Sequence, residues 1–300
     1  MPSSPIRHRL SAAGVVAIEG PDRESFLQGQ LTQDVRGLAP GASRLAAGLT
    51  SKGKVLYFGR LLAEPERFLI LLPRDAVEAV RTHLAKYAAF QKVTVRDASE
   101  GRLLAALYGP GSAAITAPPG DTRLPAWGEL AGEILGSEAG RGALEAALAA
   151  AGSIPISDDV AEALRIEAGR PRLGFDATEA NLPDEVGLED ALSRTKGCYV
   201  GQEIVARRKT YGKPTRRLAG LRFEGAPMPT GTALALPERP DRELARVTSV
   251  ATSERFGPIG LGIVSYEAAD GARLAAAEDS ARLAAATDGA TALVVPLPFA

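Results

Sequence analysis

The sequence predicts an α+β fold, in which two mixed segments of strands and helices precede a β-rich C-terminal region. In the first third, short apolar runs typical of strands alternate with helical spacing and are joined by short turns, such as residues 51–53. Joins of this kind favour layered α+β architecture over a doubly wound parallel sheet. Beyond Gly212 the helical signal fades and Pro- and Gly-containing turns separate strand patterns. We therefore predict three domains, at residues 1–100, 101–215 and 216–300.

The first domain has the clearest element signals. Five segments in it are predicted to be strands: 15–18, 45–49, 54–62, 68–72 and 93–95. A helix is predicted to begin after Gly20, because Pro21 suits the first helical position and Asp22 would lie near the positive end of the helix dipole. A second helix is predicted over residues 76–84, where apolar residues recur with helical spacing.

The second and third domains follow the same logic. A strand is predicted at 103–108, and an alanine-rich helix at 142–151. Ser157 is a favourable N-cap, so a further helix is predicted from there to about Glu167. The third domain is predicted from three strands: 217–223, 246–250 and 259–264.

Composition and charge exclude several classes of protein. The hydrophobic fraction of 45% and the charged fraction of 24% are ordinary for a globular chain. No apolar run approaches the roughly 20 residues that a membrane helix needs, and the N-terminus lacks the apolar core of a secretory signal. We therefore expect a cytoplasmic protein with no membrane partner. The net charge of −1 argues against a surface built for nucleic acid.

Cys198 is the only cysteine, which excludes a disulfide within the chain. The two histidines, His8 and His83, lie far from it in sequence and supply too few ligands for an ordinary zinc or iron site. One thiolate cannot hold an iron–sulfur cluster alone, because such clusters normally take four ligands. We therefore predict no intrinsic metal. Any cluster that Cys198 touches needs further ligands from a partner chain, from glutathione or from a second copy.

The segment around Cys198 carries the chemistry. Lys196 stands two residues before it and Arg207 follows, and nearby cations favour a thiolate. If this segment is extended, Lys196 and Cys198 point to the same face, and Gly197 leaves room for a ligand. A helix beginning at Gly201 would place the thiol just before a helix N-terminus, which lowers a thiol pKa further. The alternative is that a solitary cysteine is an inert, buried residue.

The motifs in this region resemble those of a known family. Residues 196–203 read Lys-Gly-Cys-Tyr-Val-Gly-Gln-Glu, which resembles the signature of the YgfZ-type proteins. Three further segments, 26–34, 53–56 and 165–169, match in the same order motifs of a wider superfamily. That superfamily includes the aminomethyltransferase (T-protein) of the glycine cleavage system. The resemblance covers nearly the whole chain, and the octet is highly specific.

The resemblance implies both a fold and a function. The implied fold has two ferredoxin-like subdomains and a C-terminal β-barrel, arranged around a central folate-binding cavity. The implied role is to bind tetrahydrofolate or a derivative and to support assembly, insertion or repair of iron–sulfur clusters in client enzymes. Iron–sulfur scaffold or carrier proteins and the client enzymes would be the partners.

The resemblance also assigns site residues. Cys198 is the key catalytic candidate and Lys196 would tune it. The rest of the loop would shape the site: Gly197, Tyr199, Gly201, Gln202, Glu203 and Arg207. The candidate folate-binding residues are Arg165, Gln30, Thr32 and Asp34. Each of these four has a structural alternative, which is a surface salt bridge for Arg165 and cap or turn hydrogen bonds for the others.

The sequence leaves two alternative functions open, one a folate-dependent enzyme and the other a tRNA-modification factor. T-proteins carry an aspartate in the segment equivalent to 54–59, and this chain has no acid there, so it lacks the carboxylate that assists aminomethyl transfer. This argues against a glycine-cleavage aminomethyltransferase. A related folate-dependent enzyme is the first alternative, and the sequence leaves open whether the protein is an enzyme.

The second alternative is a tRNA-modification factor acting through the basic run at 207–217. It is disfavoured because Tyr211 is the only aromatic residue in that run. Trp127 is the only tryptophan, and the tryptophans that some relatives place near folate have no counterpart here.

Overall fold

A computed structural model describes residues 5–125, 127, 131–211, 214–278 and 289–300 of the chain. The chain divides into two units. The first is made of Met1–Ile156 and Asp190–Ile204, and the second of Ser157–Glu189 and Val205–Ala300. Strands and helices are mixed as predicted, and the α+β class is confirmed. The three-domain division, with boundaries after residues 100 and 215, stays a prediction.

Strands make up most of the regular structure. The first ten are β1 (Arg7–Ala12), β2 (Gly14–Glu19), β3 (Ser43–Leu49), β4 (Val55–Ala63), β5 (Arg67–Leu72), β6 (Thr94–Asp97), β7 (Arg102–Tyr108), β8 (Thr122–Leu124), β9 (Ala131–Ser137) and β10 (Ile154–Pro155). The others are β11 (Arg216–Glu224), β12 (Ala233–Ala235), β13 (Ala245–Ser253), β14 (Gly257–Ser265), β15 (Arg273–Ala276) and β16 (Thr291–Val295). The α-helices are α1 (Arg23–Gln30), α2 (Val77–Ala88), α3 (Arg141–Ala150), α4 (Asp158–Glu167) and α5 (Gln202–Tyr211).

The first sheet is ferredoxin-like with one added edge strand. Its strand order is β3-β4-β5-β2-β6, and all neighbours are antiparallel. Without β3, the chain order β2-α1-β4-β5-α2-β6 is the βαββαβ pattern of that fold. Residues Val15, Val16, Ala17 and Ile18 of β2 are fully buried. All five predicted strands of this region therefore exist and share one sheet.

The second sheet includes a strand from the N-terminus that the sequence pattern did not predict. Its order is β10-β1-β7-β9-β8, so β1 lies between β10 and β7. The residues of β1 (Arg-His-Arg-Leu-Ser-Ala) show no apolar run, and pairing with β7 supplies the reason for their extended backbone. The two sheets share a core in which Leu62, Leu69 and Leu71 pack with Leu124 and Leu135.

The second unit is built on a closed β-barrel, which confirms the predicted barrel. Within the described residues its strand order is β11-β14-β13-β12-β15-β16. Leu221, Val247, Leu274 and Val294 lie in its core. Helix α4 packs beside the barrel, where Ile166 joins a cluster of apolar residues from β14 and the C-terminal segment.

Helix α4 begins where the sequence predicts, whereas α1 begins two residues later than the predicted start at Pro21. The Ser157 hydroxyl accepts a hydrogen bond from the Val160 N–H at 3.4 Å and caps α4. Helix α1 follows Pro21 and Asp22 directly. None of the helices in the described ranges is long and apolar enough to cross a membrane.

Candidate functional site

The predicted catalytic segment is irregular backbone that precedes α5. Cys198 lies in it, four residues before the first helical residue, Gln202, and belongs to no strand. The shared face of Lys196 and Cys198, expected if the segment is extended, stays a prediction. Cys198 is exposed, so the alternative of a buried cysteine is wrong. Among the described residues, no three His, Cys, Asp or Glu side chains gather where a metal ion could bind.

The ammonium group of Lys196 is bound by main-chain oxygens at the end of α1. Its Nζ donates to the carbonyl oxygens of Gln28 at 2.7 Å, Leu31 at 2.6 Å and Gln33 at 3.1 Å. The Tyr199 ring covers the same group, with its centroid 5.0 Å from Nζ, a cation–π contact. Lys196 thus connects the loop to a segment more than 160 residues earlier in the chain.

Burial sets the protonation of this lysine. Loss of solvation lowers the pKa of Lys196 to about 8, while the Asp34 carboxylate raises it and the Arg36 cation lowers it further. At pH 7 the group is still mostly charged. Burial also raises the pKa of Tyr199, which is neutral at that pH.

Main-chain hydrogen bonds join the same two segments. The Val200 N–H donates to Gly29 O at 3.2 Å, and the Ser193 N–H donates to Thr32 O at 3.0 Å. In the opposite direction, the Thr32 hydroxyl donates to Ala191 O at 2.6 Å. These bonds and those of Lys196 attach the segment 190–201 to residues 28–33. We call this set of contacts the loop dock.

Two glycines bring a third motif to the loop. Gly201 has φ +82°, and a Cβ there would lie 2.5 Å from Thr50 O and 3.1 Å from Gly53 Cα. Gly53, with φ +71°, would bring its own Cβ to 3.0 Å from the Ile204 side chain. Only residues without a side chain allow this backbone approach. The motifs at 26–34, 53–56 and 196–203 therefore meet in the first unit.

Two predicted folate-binding residues, Thr32 and Asp34, have structural partners in the loop dock or beside it. Thr32 is fully buried, and its hydroxyl also accepts from the Ala47 N–H at 3.0 Å. The Asp34 carboxylate accepts from Gln28 Nε2 at 2.9 Å, and this bond lowers the pKa of Asp34. These contacts match the alternative of turn and cap hydrogen bonds. Gln30 is half-buried on α1. Folate contact by these three residues stays a prediction.

The remaining loop residues start α5 or face solvent. The Tyr199 N–H donates to Gln202 Oε1 at 3.2 Å, and the Gln202 N–H donates back to Tyr199 O at 3.2 Å. Gly197 is exposed, and a Cβ there would meet no atom within 4 Å. Glu203 and Arg207 are exposed on α5. The loop is thus fixed at both ends, and its centre is open.

Arg165 lies in the second unit at the centre of a buried polar cluster. Its guanidinium makes two bonds to the Glu162 carboxylate, at 2.8 and 2.7 Å. It also donates to Asp176 Oδ2 at 2.8 Å, to Ser249 Oγ at 2.8 Å and to Arg170 O. A guanidinium has five N–H donors, so every one has an acceptor. The contacts indicate a structural role for Arg165, but as a largely buried ion pair and not as the surface salt bridge of the alternative. Its folate contact stays a prediction.

A pocket in the first unit contains residues that sequence reasoning did not select. Its volume is about 360 Å³. It is lined by Gln33, Ser43, Arg44, Leu45, Arg60, Pro125, Trp127 and Asp190. Trp127 contacts Phe58 edge to face, with the ring centroids 5.9 Å apart. Arg60 is buried and pairs with Glu133 at 3.0 Å. A sequence signal existed, because Arg60 interrupts an otherwise apolar strand.

Comparison with known proteins gives relatives of similar sequence, although no family model matches the chain. A tRNA-modifying protein YgfZ from Edwardsiella ictaluri is 32% identical over 232 residues, which are 71% of this chain and 70% of that protein. The protein of the same name from Serratia proteamaculans is 30% identical over 231 residues, 72% of this chain and 70% of that protein. A putative chloroplastic transferase of Arabidopsis thaliana is 27% identical over 285 residues, covering 87% of this chain and 65% of that protein.

A solved structure shares the fold. The glycine cleavage system aminomethyltransferase T from Bartonella henselae superimposes with a TM-score of 0.81, over 99% of this chain and 87% of that one. The two sequences are 23% identical. The similarity confirms the predicted fold.

Proposed function

The chain belongs to the YgfZ family, and on this premise we propose that it binds a reduced folate and supports assembly, insertion or repair of iron–sulfur clusters in client enzymes. The observation that carries the proposal is the exposed thiol of Cys198 on a loop fixed at both ends. An exposed thiol can meet a partner protein, and a fixed loop presents it in one geometry. One thiolate supplies one of the four ligands that a cluster needs, so the partner holds the cluster with it.

The pocket of the first unit supports the folate part of the proposal. The Trp127 indole offers a flat surface for the pterin or benzoyl ring, and Arg44 offers a cation for the glutamate carboxylates. Gln33 and Asp190 supply polar atoms for the pterin edge. A volume of about 360 Å³ lies within the usual range for small-molecule sites. The residues present therefore fit a folate. Gln33 belongs to both this pocket and the acceptors of Lys196, so the pocket borders the loop dock.

Fluorescence of Trp127 tests folate binding at this pocket. Because Trp127 is the only tryptophan, its emission reports on one place in the chain. Titration with tetrahydrofolate should quench it to a plateau, and calorimetry should give the same affinity. Trp127→Phe should remain folded but bind about tenfold more weakly, since part of the stacking surface is lost. Phe90→Ala removes a fully exposed ring elsewhere and serves as the control. No heat and no quenching at millimolar tetrahydrofolate would refute the proposal.

The aminomethyltransferase alternative has a separate test. The segment from Lys54 to Gly59 contains no acid, and Tyr57 and Phe58 in it are buried. We therefore expect no turnover of an aminomethyl donor in a coupled assay with the other glycine cleavage proteins. Robust production of methylene-tetrahydrofolate would replace our proposal with that alternative.

Several relatives are named as tRNA-modifying proteins, and we propose that this chain contributes to tRNA modification indirectly, through an iron–sulfur client. Two cations of the basic run are paired with acids. Arg217 lies 2.6 Å from Asp270, and Arg216 lies 4.0 Å from Glu185. Lys213 lies outside the described residues. Direct action on tRNA would require binding that weakens steeply with salt. Micromolar tRNA binding at about 150 mM salt with a steep salt slope would favour direct action.

A further inference from the structure

The sequence pattern predicts that Lys196 favours the thiolate of Cys198, but the contacts of its ammonium group indicate a different role. We propose that Lys196 is a positioning residue, whose ammonium group closes the C-terminal end of α1 and thereby fixes the loop that carries Cys198, without acting on the thiol. The inference depends on the proposed function only in taking Cys198 as the working group.

The first argument is a count of hydrogen-bond donors. A lysine ammonium group has three N–H donors and no acceptor. Those of Lys196 have three acceptors, the carbonyl oxygens of Gln28, Leu31 and Gln33 at 2.7, 2.6 and 3.1 Å. A thiolate could receive a hydrogen bond only if one of these were broken. The Tyr199 ring, 5.0 Å from Nζ, occupies a further side of the group.

The second argument is the partial negative charge at the C-terminal end of α1. The last carbonyl groups of a helix have no partner within the helix and carry partial negative charge, which a cation stabilises. The last turn of α1 contains no basic residue of its own. Lys196 supplies the missing cation from a distant part of the sequence. The Asp34 carboxylate, just beyond α1, adds to the attraction.

The third argument is where the contacts lie along the loop. Lys196 is the side chain that binds three carbonyl oxygens, whereas the neighbouring attachments at Ser193 and Val200 are single main-chain bonds. Cys198 stands between Lys196 and Val200, and its own side chain is exposed. Lys196 therefore fixes the near side of the thiol, and Val200 fixes the far side. Removing the lysine should free the loop while leaving the thiol chemically unchanged.

Lys196→Met tests the inference, because methionine keeps the length and apolar character of the side chain but has no donor. Hydrogen exchange measured by mass spectrometry should rise at least about tenfold in peptides covering 193–201 and the end of α1. Alkylation of Cys198 by iodoacetamide should reach half its maximum at the same pH as in the wild type. Lys196→Arg, which keeps charge and donors, should restore much of the protection. Lys52→Met removes an exposed lysine from the turn between β3 and β4, and it should change neither measurement.

Two results would overturn the inference. One is unchanged hydrogen exchange in Lys196→Met; the other is an upward shift of the alkylation midpoint by about one pH unit, which is the signature of lost thiolate stabilisation. If the variant does not fold, the wild-type protein is measured by NMR spectroscopy. A lysine Nζ signal whose protons exchange slowly at pH 7 supports the three hydrogen bonds of Lys196, and the absence of such a signal refutes them. None of these measurements uses folate or a cluster, so they fail or succeed independently of the proposed function.

Discussion

At the scale of single residues, the exposed side chain of Cys198 makes a clear prediction. Cys198→Ala should change the free energy of unfolding by no more than about 0.5 kcal/mol, because an exposed side chain leaves no core cavity. Folate binding should also persist. Rescue of iron–sulfur enzyme activity in cells lacking the protein should be lost. Thr195→Ala, an exposed change on the same loop, should rescue fully. Full rescue by the Cys198→Ala variant would contradict the role of the thiol.

For Arg165 we predict the opposite, namely that its replacement strongly lowers the stability of the protein. Asp176 is completely buried, and Arg165 is the cation that pairs with it at 2.8 Å. Removing one partner of a buried ion pair leaves an uncompensated charge, which costs about 3–5 kcal/mol. We therefore expect Arg165→Ala to lower the melting temperature strongly. The control is Arg246→Ala, whose pair with Glu243 is exposed and should matter little. A stable Arg165→Ala variant with weakened folate affinity would return Arg165 to the folate site.

Residue identity alone predicted part of the site. The solitary thiol, its flanking glycines and the cations nearby indicated Cys198, and its exposure is as expected. The contacts of Lys196 could not be predicted, because they go to carbonyl oxygens about 165 residues away, and main-chain acceptors leave no trace in the sequence. The structural contacts of Arg165 could not be predicted for a related reason, since its partners Asp176 and Ser249 come from separate parts of the chain.

At the scale of elements, the glycine contact between the turn at 50–54 and the start of α5 can be tested by adding one methyl group. Gly201→Ala forces a left-handed backbone on alanine and places Cβ 2.5 Å from Thr50 O. We expect a loss of at least about 2 kcal/mol in the free energy of unfolding measured with urea. Gly197→Ala, four residues earlier, meets no atom within 4 Å and is the matched control. Equal stability of the two variants would show that the close approach is not needed.

Element prediction succeeded where the signal is local. The Ser157 cap depends on neighbouring residues, and α4 begins there. Helix α1 begins at Arg23, two residues after Pro21. Strand β1 was missed because its extended backbone depends on β7, almost 100 residues later. Strand β9 was missed because its sequence, Ala-Gly-Glu-Ile-Leu-Gly-Ser, contains glycines that weaken any strand pattern.

At the scale of the whole molecule, Lys196 gives stability a pH dependence. Its pKa in the folded chain, about 8, lies below the ordinary value of 10.5, so between these values the unfolded chain binds more protons than the folded one. The free energy of unfolding should therefore rise with pH in this window relative to Lys196→Met, which lacks the group. Asp34, Arg36 and Tyr199 also face this site, but they remain in both proteins. Urea unfolding of both proteins at pH 7 and 9.5 measures the difference. A constant difference would contradict the lowered pKa.

The fold class followed from the sequence, and the finer architecture followed from the resemblance. Mixed strand and helix signals gave the α+β class, and fading helical signal gave a β-rich C-terminal region, which is the closed barrel. Periodicity does not reveal which strands are neighbours. The insertion of β1 between β10 and β7 is therefore a property that only the three-dimensional pairing displays.

The loop dock has a consequence for how this protein tolerates change. Its acceptors between residues 28 and 33 are main-chain carbonyl groups, which every amino acid possesses, so side chains there can vary without removing an acceptor. Thr32 and Gln33 are constrained further, because their side chains donate to Ala191 O and Asp190 O. The donor side is less permissive. Proline at 193 or 200 would delete an N–H, and position 196 needs a long side chain with several donors. Residues that only present a main-chain carbonyl to the loop dock can therefore vary more freely than residues that supply a hydrogen-bond donor.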